Sequence, residues 1–105
     1  MIKIKNLRFE KPSEPWDIKV DRSSVLGNPF SMNHDERKRD EVCIQYKTWF
    51  CCEVQVKSLA FITELQRLVG IYRVHGCLNL FCWCYPKRCH AETIRDYILE
   101  ITKDD

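Results

Sequence analysis

The 105-residue sequence has no long apolar run and almost no net charge, and these absences exclude some classes of protein. No stretch approaches the ~20 apolar residues that a membrane-spanning helix needs. A net charge of +2 is too small to indicate nucleic-acid binding. The basic run at residues 37–39 is expected on a solvated helix face. Because residues 1–16 lack the features of a signal peptide, we expect a cytoplasmic protein without a membrane partner.

The cysteines also lack two common patterns. Their number, seven, is odd, and thiols stay reduced in the cytoplasm, so a closed disulfide framework is not expected. No Cys-x-x-Cys pair, which is typical of zinc sites, occurs. The cysteines are therefore expected to be buried thiols, reactive thiols or metal ligands in another arrangement.

The apolar and aromatic content, 45% and 11% of the residues, suffices for a packed interior. Alternating apolar residues predict one strand at residues 1–7, and residues 17–20 predict a second. Residues 77–83 are almost all apolar, which indicates a central strand that is buried on both faces. Together with the helices that the next paragraph predicts, these strands indicate a single α/β domain over residues 1–105. We predict a small sandwich whose short sheet is mostly parallel and carries about three helices.

Hydrophobic spacing predicts the helices. The first begins near Asn33, whose side chain can cap it together with Glu36. The second covers Ser58 to Val69 and stops at Gly70, and the third covers residues 88–102. The expected core-facing residues are Val42, Tyr46, Trp49 and Phe50, then Phe61, Ile62, Leu65, Leu68 and Val69, then Ala91, Ile94, Ile98 and Ile101.

The stretch LFCWCYPKRCHAE, residues 80–92, is the first candidate site. Cys82 and Cys84 share a face if the strand continues, and Cys89 and His90 fall in the first turn of the last helix. Ligands of open α/β sheets bind at such a strand-to-helix connection, and the helix N-terminus favours an anion. The same field lowers the pKa of Cys89 and favours neutral His90.

Three interpretations of this turn stay open. Cys82, Cys84, Cys89 and His90 have the right types and number for zinc, the one cofactor that the sequence suggests. Alternatively, Cys89 and His90 are catalytic, as nucleophile or general acid/base, with Glu92 orienting a neighbour. The third interpretation is packing alone, because cysteine is often buried.

The stretch DRSSVLGNPF, residues 21–30, is the second candidate site. Gly27 permits backbone angles that other residues resist, and the following Asn-Pro pair stiffens the loop. With Arg22 and Ser23, the loop could bind an aromatic anionic ligand through Asn28 and Phe30. It could equally be an ordered turn in which Asn28 caps its own backbone and Phe30 fills the core.

These two stretches together resemble the family called domain of unknown function 4326, a small domain of bacteria and phages. The resemblance covers nearly the whole chain and implies a shared site without naming a reaction. Asp21 stands where members commonly have glycine, and Glu92 where aspartate is usual. The marked positions of the family correspond to Arg22, Gly27, Asn28, Pro29, Phe30, Cys82, Trp83, Cys84, Pro86, Cys89 and His90.

We therefore expect a pocket between the two stretches that binds a nucleotide-like or other phosphate-bearing ligand, with or without catalysis. The ligand-binding residues are predicted to be Arg22, Ser23, Gly27, Asn28, Phe30, Trp83 and Glu92. The alternative is a non-enzymatic phage-type protein that binds a host protein or nucleic acid in the host cytoplasm, with the Cys/His turn as a zinc or packing element.

Overall fold

Three strands, β1 (Ile2–Asn6), β2 (Asp17–Lys19) and β3 (Leu78–Cys82), form a parallel sheet in the computed structural model, which describes all 105 residues. β3 lies between the other two strands, with Leu80 opposite both Ile4 and Ile18. The apolar run predicted as the central strand is therefore confirmed.

The chain forms three helices, in the order that the sequence predicts. Two of them, α1 (Arg39–Gln55) and α2 (Leu59–His75), lie between β2 and β3 in the sequence, and α3 (Ala91–Thr102) follows β3. A short 3₁₀ turn, Glu36–Lys38, precedes α1. The predicted α/β class, with a short sheet and three helices, is confirmed. None of the helices has the length and apolar character needed to cross a membrane.

The helices and one face of the sheet share a hydrophobic core. Paired residues of neighbouring strands point to the same face, so Ile4, Ile18 and Leu80 lie together, and all belong to this core. The helices contribute buried residues to the same core. On the other face Lys3 and Lys19 are exposed, although Phe81 is buried there. The central strand is thus fully covered on one face and partly covered on the other.

The first helix does not begin at Asn33, and this prediction was wrong. Asn33 and His34 have positive φ angles of 51° and 63°, which are incompatible with a right-handed helix start. Asp35 caps the 3₁₀ turn instead, because its carboxylate accepts the Arg37 N–H at 3.0 Å.

The second helix does not stop at Gly70 either. It continues for five more residues to His75. Gly76 follows as its C-cap, with a φ of 71°, and donates its N–H to the Tyr72 carbonyl. Left-handed φ favours glycine at the end of a helix, and Gly70 has no such angle. In α3, Ile101 is 43% exposed and Thr102 is buried in its place.

Candidate functional site

The three parallel strands end at one edge of the sheet, and the two candidate stretches follow two of these ends. β2 leads into the segment 21–30, here called the GNPF loop, and β3 leads into the segment 83–90, here called the CWC turn. The carboxyl edge of a parallel sheet is where α/β proteins commonly bind ligands. The topology therefore brings both stretches to the place where a site is expected.

The GNPF loop is compact because two consecutive turns bring its backbone back close to its own start. Ser24 and Gly27 donate N–H groups to the Asp21 and Ser24 carbonyls, both at 2.9 Å. A β-carbon on Gly27 would lie 2.3 Å from the Asp21 carbonyl oxygen and 2.7 Å from the Arg22 Cα. Glycine is needed for this close approach, and the expected reason, an unusual φ angle, was wrong.

Asn28 and Arg22 hold the second half of the loop. The Asn28 Oδ1 accepts the Phe30 N–H at 2.8 Å, and its Nδ2 donates to the Val42 carbonyl at 3.4 Å. Arg22 donates to the Phe30 carbonyl at 3.0 Å. Asn28 thus caps its own loop, as the ordered-turn interpretation expected. Phe30 does not fill the core, since it is half-buried and lies outside the core cluster.

The CWC turn is held from two sides. Asn6, at the end of β1, donates its amide N–H groups to the Tyr85 and Trp83 carbonyls at 2.8 and 3.3 Å. The Trp83 indole donates to the Asp21 carboxylate at 3.0 Å, so this bond joins the CWC turn to the GNPF loop. Burial opposes the charge of Asp21, but hydrogen bonds from Ser23 and Trp83 outweigh it and lower the pKa of Asp21.

Both segments line one cavity of about 570 Å³. Ser23 lines a different surface cavity on the β2 side, and Glu92 lines one between α1 and α3. Gly27 lines none of these three cavities and acts through the shape of its loop. The predicted site residues that the main cavity brings together are Arg22, Asn28, Phe30, Trp83, Cys84, Cys89 and His90.

The most consequential residue that the sequence analysis missed is Arg39, which it placed on a solvated face. Its side chain is only 15% exposed and lines the cavity, where it donates to the Glu36 carboxylate and to the Arg88 carbonyl at 2.9 Å. Burial opposes its charge, but contacts with Cys84 and Glu36 outweigh this and raise the pKa of Arg39. The signal was its spacing, since Arg39 lies three residues before buried Val42.

The charged groups of the cavity wall are three arginines and two carboxylates. Arg22, Arg39 and Arg88 are the arginines, and Asp21 and Glu36 are the carboxylates. Arg88 also pairs with Asp40 at 3.0 Å, outside the cavity. Of these residues, only Arg22 belonged to the predicted site.

Cys82 and Cys89 form a buried thiol pair whose sulfur atoms lie 3.3 Å apart. The hydrogen bond from Cys89, assisted by the N–H groups of Cys84 and Tyr85, lowers the pKa of Cys82 to about 6. The same bond and burial raise the pKa of Cys89. The expectation that the helix start lowers the pKa of Cys89 was therefore wrong, because the contact with Cys82 and burial outweigh that effect.

His90 lies at the base of the cavity, where burial lowers its pKa. Its Nε2 is bonded to the Val20 carbonyl, which accepts only a donor, so the ring is the Nε2–H tautomer when neutral. The ring also packs edge-on against Tyr46, whose hydroxyl donates to the Leu26 carbonyl at 2.7 Å. The neutral form expected from the sequence agrees with this environment, although burial is the main cause.

The four predicted zinc ligands do not fit a metal ion in this arrangement. No group of three or more His, Cys, Asp and Glu side chains is placed to hold one. The Nε2 of His90 is hydrogen-bonded to the Val20 carbonyl, and the Cys82 and Cys89 thiols are hydrogen-bonded to each other. We therefore derive no metal chemistry from the turn.

The start of α3 offers less to an anion than expected. The N–H groups of Glu92 and Thr93 bond to the carbonyls of Cys89 and His90, at 3.2 and 3.0 Å. Since two of the first three N–H groups of the helix have partners, the arginines are the better candidates for anion binding.

Comparison with known sequences identifies the family. A sequence model of the family described as "Domain of unknown function (DUF4326)" matches residues 4–100. The chain belongs to this family. The match spans both the GNPF loop and the CWC turn of this DUF4326 domain, and the family resemblance that the two motifs suggested is confirmed. No curated protein and no solved structure matches the chain.

Proposed function

We propose that this DUF4326 domain binds a small phosphate-bearing, nucleotide-like molecule in the cavity between the GNPF loop and the CWC turn. The observation that carries the proposal is the cavity at the carboxyl edge of the parallel sheet, which combines arginines with aromatic surfaces. Its volume of about 570 Å³ lies within the ~300–1,000 Å³ that small-molecule sites occupy.

The arginines are proposed to hold the phosphate. Arg22 is exposed and lies at the cavity wall, so its guanidinium can turn from the Phe30 carbonyl to a ligand. Arg39 is fixed by three hydrogen bonds and presents a positioned charge. A guanidinium suits phosphate because its N–H groups match two phosphate oxygens at once.

The aromatic residues are proposed to contact the planar part of the ligand. Trp83 is 60% exposed although it lines the cavity, and its indole is held by Asp21. Phe30 lines the same cavity and is half-buried. An exposed, oriented indole gives a flat surface for stacking at a small cost in side-chain entropy.

His90 is proposed as the acid/base group if the bound ligand reacts. In the Nε2–H tautomer its Nδ1 carries a lone pair, and no buried side-chain nitrogen or oxygen lacks a partner, so Nδ1 retains access to solvent. Because burial lowers its pKa, the ring is neutral at physiological pH, and the Nδ1 lone pair is free to accept a proton. Cys89 is not proposed as the nucleophile, since the contact with Cys82 and burial raise its pKa.

Calorimetric titration with the four ribonucleoside 5′-diphosphates tests this proposal. We expect saturable binding of at least one of these nucleotides and no detectable binding of the corresponding nucleoside, which lacks the phosphates. Arg22→Ala should weaken that binding about tenfold or more, because a hydrogen bond to a charged group contributes about 1.5–3 kcal/mol.

Arg37→Ala is the matched control, because Arg37 is 91% exposed and does not line the cavity. It should bind like the unaltered protein. Equal losses in both variants would indicate nonspecific attraction of anions. Absence of binding with every nucleotide would contradict the proposal and favour the alternative of a protein that binds a host macromolecule.

A further inference from the structure

The Cys82–Cys89 pair has a geometry that the ligand site does not need. The two sulfur atoms lie 3.3 Å apart, compared with about 2.05 Å in a disulfide. Cys82 ends β3, and Cys89 stands two residues before α3, so only the seven-residue separation of the CWC turn joins them. Cys89 also lines the cavity, which gives a small oxidant a route to the pair.

We propose that Cys82 and Cys89 are a redox-active dithiol that hydrogen peroxide converts to a reversible disulfide. The Cys82 sulfur attacks one peroxide oxygen and breaks the O–O bond, which gives a sulfenic acid and water once the leaving oxygen has taken a proton. The Cys89 sulfur then attacks the Cys82 sulfur, forms the S–S bond and releases a second water as its own proton is transferred. Two thiols are oxidised, and one peroxide is reduced to two waters.

The surroundings assign the attacking role to Cys82. Its sulfur is in hydrogen-bond contact with the Cys89 thiol, and this contact together with the N–H groups of Cys84 and Tyr85 lowers the pKa of Cys82, which favours its thiolate. Cys89 is the resolving residue because its sulfur is already in contact. Since Cys82 is only 1% exposed, the oxidant must be small, and hydrogen peroxide meets that requirement.

The other cysteines lack this arrangement. Cys51 and Cys52 are exposed neighbours on one helix, so their side chains point in different directions. Cys43 is buried and makes no sulfur contact within hydrogen-bond distance. The disulfide would tie the end of β3 to the start of α3 in the cavity wall, independently of which ligand the cavity binds.

Peptide mapping tests the proposal directly. Trypsin cuts after Lys87 and Arg88, so Cys82 and Cys89 fall in separate peptides, residues 74–87 and 89–95. After treatment with one equivalent of hydrogen peroxide and alkylation of the remaining thiols, we expect these two peptides to be joined through Cys82. The joined pair should lack two hydrogen atoms in mass, its fragment ions should place the link at Cys82 rather than at Cys77 or Cys84 of the same peptide, and dithiothreitol should separate it.

Matched variants complete the test. Cys84→Ser should leave the joined pair in place, whereas Cys89→Ser should abolish it and leave Cys82 as a sulfenic acid, which dimedone labels when the oxidised protein is unfolded in its presence because Cys82 is buried in the folded state. The mapping is done first on the unaltered protein, so it stands even if a variant fails to fold. A link from Cys89 to Cys77 or Cys84, or free Cys82 and Cys89 beside oxidised Cys51 and Cys52, would overturn the proposal. Neither result bears on nucleotide binding.

Discussion

Gly27 and Gly70 are two glycines that differ in the space available for a side chain. A β-carbon at Gly27 would meet the Asp21 carbonyl oxygen at 2.3 Å, whereas one at Gly70 would meet nothing within 4 Å. We expect Gly27→Ala to lower the free energy of unfolding by about 1–3 kcal/mol, because backbone segments must move apart. Gly70→Ala should raise it by about 0.5–1 kcal/mol, because Gly70 lies inside a helix. Urea denaturation measures both, and equal effects would contradict the contact at Gly27.

His90 gives the stability of the domain a pH dependence of known sign. Burial lowers its pKa in the folded state, whereas an unfolded histidine titrates near about 6.5. As the pH falls below about 6.5, the unfolded chain takes up a proton that the folded chain does not, so folding loses stability. The charge of Arg22 lowers the pKa of His90 further, whereas the charge of Asp21 raises it.

We expect His90→Gln to lose less stability than the unaltered protein between about pH 6.5 and 5. The amide can still donate to the Val20 carbonyl but cannot titrate. Unfolding curves at each pH measure the difference, in which contributions from other groups, including Cys82, cancel. His34→Gln is the control, since His34 is exposed. A constant difference between His90→Gln and the unaltered protein would contradict the buried neutral ring.

At the scale of elements, α3 shows how its apolar residues divide between core and solvent. Ile98 is fully buried, whereas Ile101 is 43% exposed and Thr102 takes the buried position beside it. We expect Ile98→Ala to cost about 2–5 kcal/mol of unfolding free energy. Ile101→Ala should cost clearly less, about 1 kcal/mol, because nearly half of the Ile101 surface already faces water. Thermal or urea unfolding measures both, and similar costs would place the helix in a different rotation.

The types of the elements could be predicted from the sequence, but their ends could not. Periodicity indicated each helix, yet Gly70 and Gly76 look alike until the φ angle of the second is known. Asn33 and Asp35 are both good capping residues, and the positive φ of Asn33 excludes it. Such angles depend on packing against the rest of the chain, which no local pattern contains.

For the whole molecule, the meeting of the two candidate loops could be predicted because it follows from topology. Parallel strands end at one edge, so two loops that follow two strands must meet there. The chemistry inside the site could not be predicted in the same way. The pKa of Cys82 is lowered and that of Cys89 raised, because the contact between the two sulfur atoms and the N–H groups near Cys82 favour the charge on Cys82. Arg39 joins the wall through the orientation of α1, which depends on the completed core.

The central claim, that a phosphate-bearing ligand binds in this cavity, is tested most directly by the three indole N–H signals in a ¹H–¹⁵N correlation spectrum. Trp83 lines the cavity, whereas Trp16 packs against His75 and Trp49 packs edge-on against Phe61, outside it. On titration with ribonucleoside 5′-diphosphates, we predict a saturable shift of the Trp83 signal while the other two stay unchanged. An unmoved Trp83 signal with every nucleotide, or a larger shift of Trp16, would contradict the proposed site.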